Sequence, residues 1–167
     1  MRRWLMLIVT IVLVLVIDQV SKRAIMDTMT LGESRQPIPA LAPFFQITYT
    51  WNEGAAFGFL TSAGGLFLVI AFVVSAVMIW YYPRMPAEAR ASRVAVGFVI
   101  GGALGNALDR LNVGAVIDFI HYQIPGVISN VSNLADHAIV FGVIVIVIES
   151  WRLDLQKKRS VQLGQSE

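Results

Sequence analysis

Apolar residues run almost unbroken through four stretches, roughly Trp4 to Ile25, Ser62 to Tyr82, Arg93 to Leu111 and Leu134 to Trp151. Each is close to the ~20 residues that a helix needs to cross the hydrocarbon core of a bilayer. The pattern therefore predicts four transmembrane helices. Between the first two, over residues 26–61, the order of residues changes. "SRQPIPALAP" is punctuated by proline and predicts irregular backbone. "FFQITYTW" alternates, with Phe45, Ile47, Tyr49 and Trp51 on one side and Gln46, Thr48 and Thr50 on the other. That is the period of a half-buried strand. Residues 112–133 are expected to form a second outer loop, and residues 152–167 a polar tail. The fold class expected is an all-α membrane protein, one domain over residues 1–167, with a small extracytoplasmic strand-and-loop cradle on a four-helix bundle.

Composition strengthens this picture and removes several alternatives. The chain is 56% hydrophobic and only 14% charged, with a mean hydropathy of +0.68. Ordinary soluble domains carry about half apolar residues and about a quarter charged ones. Cysteine is absent, which excludes disulfides and thiolate metal sites. The two histidines, His121 and His137, are too few for a histidine-based zinc site. No metal and no cofactor is expected. The basic residues form no single stripe, so nucleic acid is not an expected partner. The basic and apolar start "MRRWLMLIVTIVLVLVI" resembles a secretory leader, but it runs into Asp18, Lys22 and Arg23 without a small-residue cleavage site, and is read as a retained helix.

Charge sets the expected orientation. Cytoplasmic loops are enriched in Lys and Arg. Nine of the thirteen basic residues, namely Arg2, Arg3, Arg84, Arg90, Arg93, Arg152, Lys157, Lys158 and Arg159, fall on one side of the four runs. Both termini are therefore expected in the cytoplasm. Asp18 and Lys22, late in the first run, then share one depth near the outer face with Asp109 and Arg110 at the end of the third. Asp118 follows in the outer loop and Asp136 opens the fourth run. Ionisable groups in spans are rare and mark functional sites by default. Gly97, Gly101 and Gly105 form a small-residue stripe along the third helix, which lets a neighbour approach closely. Asp109 continues that stripe, and Gly102, Asn106 and Arg110 form the adjacent one.

Two carboxylates that face each other share a proton, because both cannot easily ionise together. One can then act as base on a water while the other hydrogen-bonds a carbonyl, which is aspartic-protease chemistry. Asp118 and Asp136 are 18 residues apart, with a loop between them long enough to bring them together. Structural readings stand beside this one. Asp136 is the third residue of a helix that Asn133 can cap. Asp118 can be an interfacial carboxylate paired with Arg110. Asp18 and Lys22 can form an i,i+4 ion pair at a helix end. A small proton-coupled transporter would use the same Asp and Arg cluster as a relay. Against that, "GGLFLVIAFVVSAVMIW" in the second run offers no polar path across the membrane. A non-enzymatic scaffold would tolerate loss of both aspartates.

Five blocks occur here in the order of a known family: "DQVSK", "NEGAAFG", "GGALGNALDRL", "GAVIDFI" and "NLAD". Over most of residues 4 to 151 the chain resembles lipoprotein signal peptidase, the bacterial signal peptidase II. The resemblance implies a four-helix aspartic endopeptidase of the bacterial inner membrane. It would remove the signal peptide of diacylglyceryl-modified prolipoproteins, cutting before the lipid-bearing cysteine, and would be blocked by the cyclic peptide globomycin. It implies a catalytic pair of Asp118 and Asp136. Asn52, Gly54, Asn106, Arg110, Asn133, Asp18 and Lys22 match positions that support the site or hold the substrate, and Asn106 and Arg110 are expected to orient Asp118. The partners implied are the lipidated prolipoprotein and membrane lipids, with the enzyme acting as a monomer. Ser132 and His137 depart from the family pattern, which has an aromatic residue and a small residue there. A cationic His137 on the cleft side would favour an ionised Asp136.

Overall fold

The computed structural model describes residues 2–54 and 63–164. Residues 55–58 of the "NEGAAFG" block and Ser62 lie outside the described residues. The described residues form four long helices: α1 (Arg2–Thr28), α2 (Ala63–Tyr81), α3 (Arg90–Val113) and α4 (Leu134–Gly164). Three segments, Arg2–Thr28, Gly64–Arg84 and Arg90–Val113, are long and apolar enough to cross a membrane. Their environments differ sharply. The most apolar part of α3 is 72% buried, against 11% for α1 and 6% for the Gly64–Arg84 segment. So α3 is the central post, while α1 and α2 turn side chains such as Leu13, Ile17, Val69 and Val73 outward. An apolar exterior of this extent suits lipid rather than water.

Glycine explains how the helices come so close. A Cβ at Gly97 would strike Thr10, and one at Gly101 would lie 2.8 Å from the Cβ of Val14, so this stripe faces α1. The neighbouring stripe faces α4, where a Cβ at Gly102 would collide with the carbonyl oxygen of Ala135. Gly142 of α4 returns the contact, 2.7 Å from the Ala95 oxygen. Without these side chains the backbones approach each other, and the polar groups one turn further on, at Asn106 and Asp109, reach both partners.

Above the bundle lies a four-stranded antiparallel sheet in the order β1 (Ser34–Arg35), β2 (Phe45–Asn52), β3 (Val116–Ile124) and β4 (Ile128–Ser132). The alternating "FFQITYTW" is β2, as expected. The expected outer loop over 112–133 is instead the β3–β4 hairpin. Its turn is Ile124-Pro125-Gly126-Val127, with Gly126 at φ +76 and the Val127 N–H donating to the Ile124 carbonyl. Proline followed by a glycine at positive φ is the chemistry of a type II turn. The polar tail is also not loose. It continues α4 to Gly164, helped by an Asp154–Lys158 ion pair one turn apart.

One irregularity in the sheet matters for the site. Ile47 pairs with Ile120, but Thr50 pairs with Asp118, so β2 carries one extra residue between them. A shift of one residue turns every later side chain to the other face. The bulge therefore places Asn52 on the same face as Asp118, diagonally across the two strands. The sheet packs onto the end of α1 through Met29, Tyr49 and Ile117, while Leu7, Tyr82, Met85, Val96 and Ile100 form a second core at the other end of the bundle.

The close α3–α4 approach yields a direct test. Gly102→Ala should destabilise the protein by about 1–3 kcal/mol, as overpacking does, and lower its thermal midpoint in detergent. Gly65→Ala, where a Cβ meets nothing within 4 Å, should leave the midpoint unchanged or raised.

Candidate active site

The site is built on an ion cluster beneath the sheet. Lys22 Nζ lies 2.9 Å from Asp18 Oδ2 and 2.6 Å from Asp109 Oδ2, and none of the three side chains is more than 2% exposed. Each carboxylate also holds a backbone group. Asp18 Oδ1 accepts from the Ala135 N–H at 3.0 Å, and Asp109 Oδ2 accepts from the Ile117 N–H at 3.2 Å. Gln19 donates to Asp18, to Asp109 and to the Gly105 carbonyl. One cluster thus joins α1, α3, the start of α4 and the start of β3. The i,i+4 pair expected at "DQVSK" is present, but as part of a larger structure. Asp109 and Gln19, which had no assigned role, belong to it. A glutamine inside an apolar helix was the available signal for the latter.

From this cluster an asparagine chain leads to the two candidate carboxylates. Lys22 Nζ donates to Asn106 Oδ1 at 3.0 Å, which leaves Asn106 Nδ2 to donate to Asp136 Oδ1 at 2.7 Å. Asn133 Nδ2 donates both to Asn106 Oδ1, at 3.1 Å, and to Asp118 Oδ1, at 2.6 Å. Its Oδ1 accepts from the Asp136 N–H at 2.9 Å, so Asn133 caps α4 as the sequence allowed. Capping and contact with the carboxylate pair are therefore one arrangement, not alternatives. Asn52 Nδ2 donates to Asp118 Oδ2 at 2.8 Å. Gly54, at φ +80, turns the chain so that its N–H donates to Asn52 Oδ1 at 2.9 Å. Gly54 acts through Asn52, and the positive φ is why glycine suits that position.

Two expectations change here. Asn106 orients Asp136 rather than Asp118, because its register on α3 matches Gly102, whose stripe faces α4. Asp118 is held by Asn52 and Asn133 instead. Arg110 makes no ion pair with Asp118 among the described residues. Its Nη1 donates to the Asn106 carbonyl at 3.3 Å, its guanidinium lies 5.2 Å from the Phe67 ring centre, and its buried Nε has no partner among the described residues. The charges of Asp136, Asp109 and Asp118 all act on it.

Asp118 is 1% exposed. Burial pushes its carboxyl up from 3.8 to about 6, and the nearby Asp136 charge adds to the rise. The hydrogen bonds from Asn52 and Asn133 work against it, because they favour the carboxylate. Asp136 lies at the wall of a cavity of about 610 Å³ that also touches Asn52, Tyr122, His137, Val140, Phe141 and Ile144. His137 is thus on the cleft side. Its Nδ1 is 2.6 Å from the Asn133 carbonyl oxygen and donates there, while Nε2 and the Tyr122 hydroxyl form a second hydrogen bond at 3.3 Å. Both ring nitrogens are engaged away from Asp136. Neither this site nor any other grouping of acidic residues and histidines among the described residues forms a metal-binding cluster.

A buried carboxyl and a cavity-facing one are thus held near each other by Asn106 and Asn133. Comparison with known proteins decides the family. The profile described as Signal peptidase (SPase) II matches residues 10–152. The chain belongs to the signal peptidase II family.

A lipoprotein signal peptidase of Alteromonas mediterranea is 41% identical over 144 residues, covering 84% of this chain and 77% of the relative. One of Halothermothrix orenii is 35% identical over 147 residues, covering 88% and 96%. A bacterial membrane enzyme solved by the in meso method at 2.3 Å matches with a TM-score of 0.74 and 34% identity, over 87% of each chain. Signal peptidase II is an aspartic peptidase, so the chain is read as a hydrolase. The transporter alternative finds no support in these likenesses.

Removing Lys22 should expose how much rests on it. Lys22→Met leaves two buried carboxylates facing each other, and loss of one partner of a buried pair costs about 3–5 kcal/mol. Thermal unfolding in detergent should show that loss, with Arg23→Met, at an exposed pair, as the near-neutral control.

Asn52→Leu should move the Asp118 carboxyl above about 6, because it deletes a donor that favours the ionised form. A carboxyl titration followed by ¹³C NMR checks this. The Asp118 group stabilises the fold fully below 3.8, and that contribution is lost as pH rises through about 6.

Proposed function

We propose that this chain removes the signal peptide from diacylglyceryl-modified prolipoproteins, cutting before the lipid-bearing cysteine, with Asp118 and Asp136 as the catalytic pair. The observation that carries the reading is the coupling of these two carboxylates, one buried on β3 and one in the first turn of α4, through Asn106 and Asn133. The pair holds one proton between its members. Asp136 faces the cavity, where water and the scissile carbonyl can meet. It takes a proton from the attacking water while Asp118 donates a hydrogen bond to the carbonyl oxygen. The tetrahedral intermediate collapses when the leaving nitrogen receives the proton that Asp136 took. Asn52, Asn106 and Asn133 hold the two carboxylates in place.

The substrate is itself anchored in the membrane, so it must enter sideways. Supporting this, the cavity wall continues along the exposed apolar face of α4 through Val140, Phe141 and Ile144. That face also supports α4 as a fourth span, with Val143, Val147 and Ile148 turned outward. The distribution of basic residues supports placing both termini in the cytoplasm and the carboxylate pair near the outer face of the bacterial inner membrane.

Asp118→Asn and Asp136→Asn should each lower cleavage of a lipidated prolipoprotein by about 10²–10⁴-fold, read as loss of the mobility shift on a gel, while the folded protein is recovered in normal yield. Globomycin should produce the same loss in the unaltered chain. Normal processing by either variant would refute the pair. Normal processing by both would leave the scaffold reading in its place.

A further inference from the structure

The opposite end of the bundle carries a second cavity, about 590 Å³ in volume, between the segment after α2 and the far part of α4. Its floor is apolar, made by Met85 and Ala89 with Ile146 and Leu153 packed against them. Exposed Tyr81 and Trp151 stand at its edge. Such aromatic residues lie at the level of lipid headgroups. Along α4 the lining changes in order, from Ile146 and Val147, through Ser150, to Asp154 and Lys157. These positions recur every three or four residues and so lie on one face of the helix. One wall therefore passes from hydrocarbon-like to polar to cationic in the direction leading out of the membrane.

Charge at this end is unbalanced in a specific way. Residues 81–93 and 149–159 hold seven basic and three acidic side chains. Two of the carboxylates near the cavity are already engaged. Asp154 pairs with Lys158 at 3.2 Å, and Glu149 accepts from the N–H groups of Ala91 and Ser92 at 3.1 and 2.5 Å. Two of the cations lack a carboxylate partner among the described residues. Lys157 Nζ has no partner among the described residues. Arg93 is 9% exposed, and its guanidinium reaches the carbonyls of Met85 and Pro86, both in the cavity wall, yet its Nε has no partner there. A buried cation bonded only to carbonyls leaves uncompensated positive charge behind that wall.

We propose that this cavity is a binding site for one anionic phospholipid of the phosphatidylglycerol class. Its acyl chain lies on Ile146, Val147 and Trp151, and its phosphate meets Lys157. Lysine side chains on a helix lean towards its N-terminus, which directs the Lys157 ammonium back along the cavity-lining face of α4. The site is remote from Asp118 and Asp136, and the proposal does not rest on their role.

The test is native mass spectrometry of the full chain in detergent, titrated separately with dioleoyl phosphatidylglycerol and dioleoyl phosphatidylcholine. One phosphatidylglycerol should be retained in preference to phosphatidylcholine. Lys157→Gln should reduce that preference about fivefold, the share of one basic residue near an anionic headgroup. Ser150→Trp, which fills the cavity from an exposed position, should abolish retention of the preferred lipid. Arg23→Gln, at an exposed pair on α1 away from this cavity, should leave retention unchanged. Circular dichroism confirms that each variant is folded. Equal retention of the two lipids would overturn the proposal, as would a preference that survives both Lys157→Gln and Ser150→Trp. A protein dimer that Ser150→Trp disrupts, in place of a retained lipid, would overturn it too.

Discussion

The structure depends on one ammonium group. Lys22 lies between Asp18 and Asp109 with essentially no exposure. A single charge of any of these three at that depth would be prohibitively unfavourable. Together they tolerate burial because every oxygen finds a donor, from Lys22, Gln19 or the backbone of Ala135 and Ile117. The cluster sets two carboxyl groups against one ammonium. The N–H of Ala135, in the first turn of α4, contributes the positive end of that helix. Apolar helices can slide or rotate against one another at little cost. An ion cluster of this kind has one arrangement that satisfies it, and so it fixes how α1, α3 and α4 stand together.

Register then passes from the cluster to Asp118 and Asp136 by way of amides. Asparagine suits this role because it donates at one end and accepts at the other without carrying charge. Asn106 takes a hydrogen bond from Lys22 and gives one to Asp136. Asn133 caps a helix with its oxygen and holds Asp118 with its nitrogen. A basic side chain in either place would form an ion pair and pull the carboxylate down. The amides instead offset part of the effect of burial on Asp118 and leave its proton within reach of ordinary pH.

Much of this was legible in the residues. The four apolar runs located the helices, and the alternation of "FFQITYTW" located β2. The β3–β4 hairpin was not read, because "VIDFI" is buried on both faces. Period-two alternation, the usual mark of a strand, is absent there, and only Pro125-Gly126 signalled the turn. The glycine stripes pointed to close helix packing, but not to which helix each stripe faced. That is why Asn106 was assigned to Asp118 and lies instead against Asp136. Burial of Asp109 depends on Lys22, a residue 87 positions away, and no local pattern records it. Periodicity showed that the charged residues gather. The loop between Asp118 and Asp136 let those two face each other, but the family resemblance was needed to name the bond they would cut.

The two members of the carboxylate pair belong to different layers, Asp118 to the sheet and Asp136 to the helical bundle. Neither layer carries both carboxylates by itself. The extra residue in β2 and the bond from the Ile117 N–H to Asp109 set where the sheet stands on the bundle. With the helices packed but the sheet undocked, only Asp136 would be in place. The role proposed for the pair therefore requires the two layers to meet.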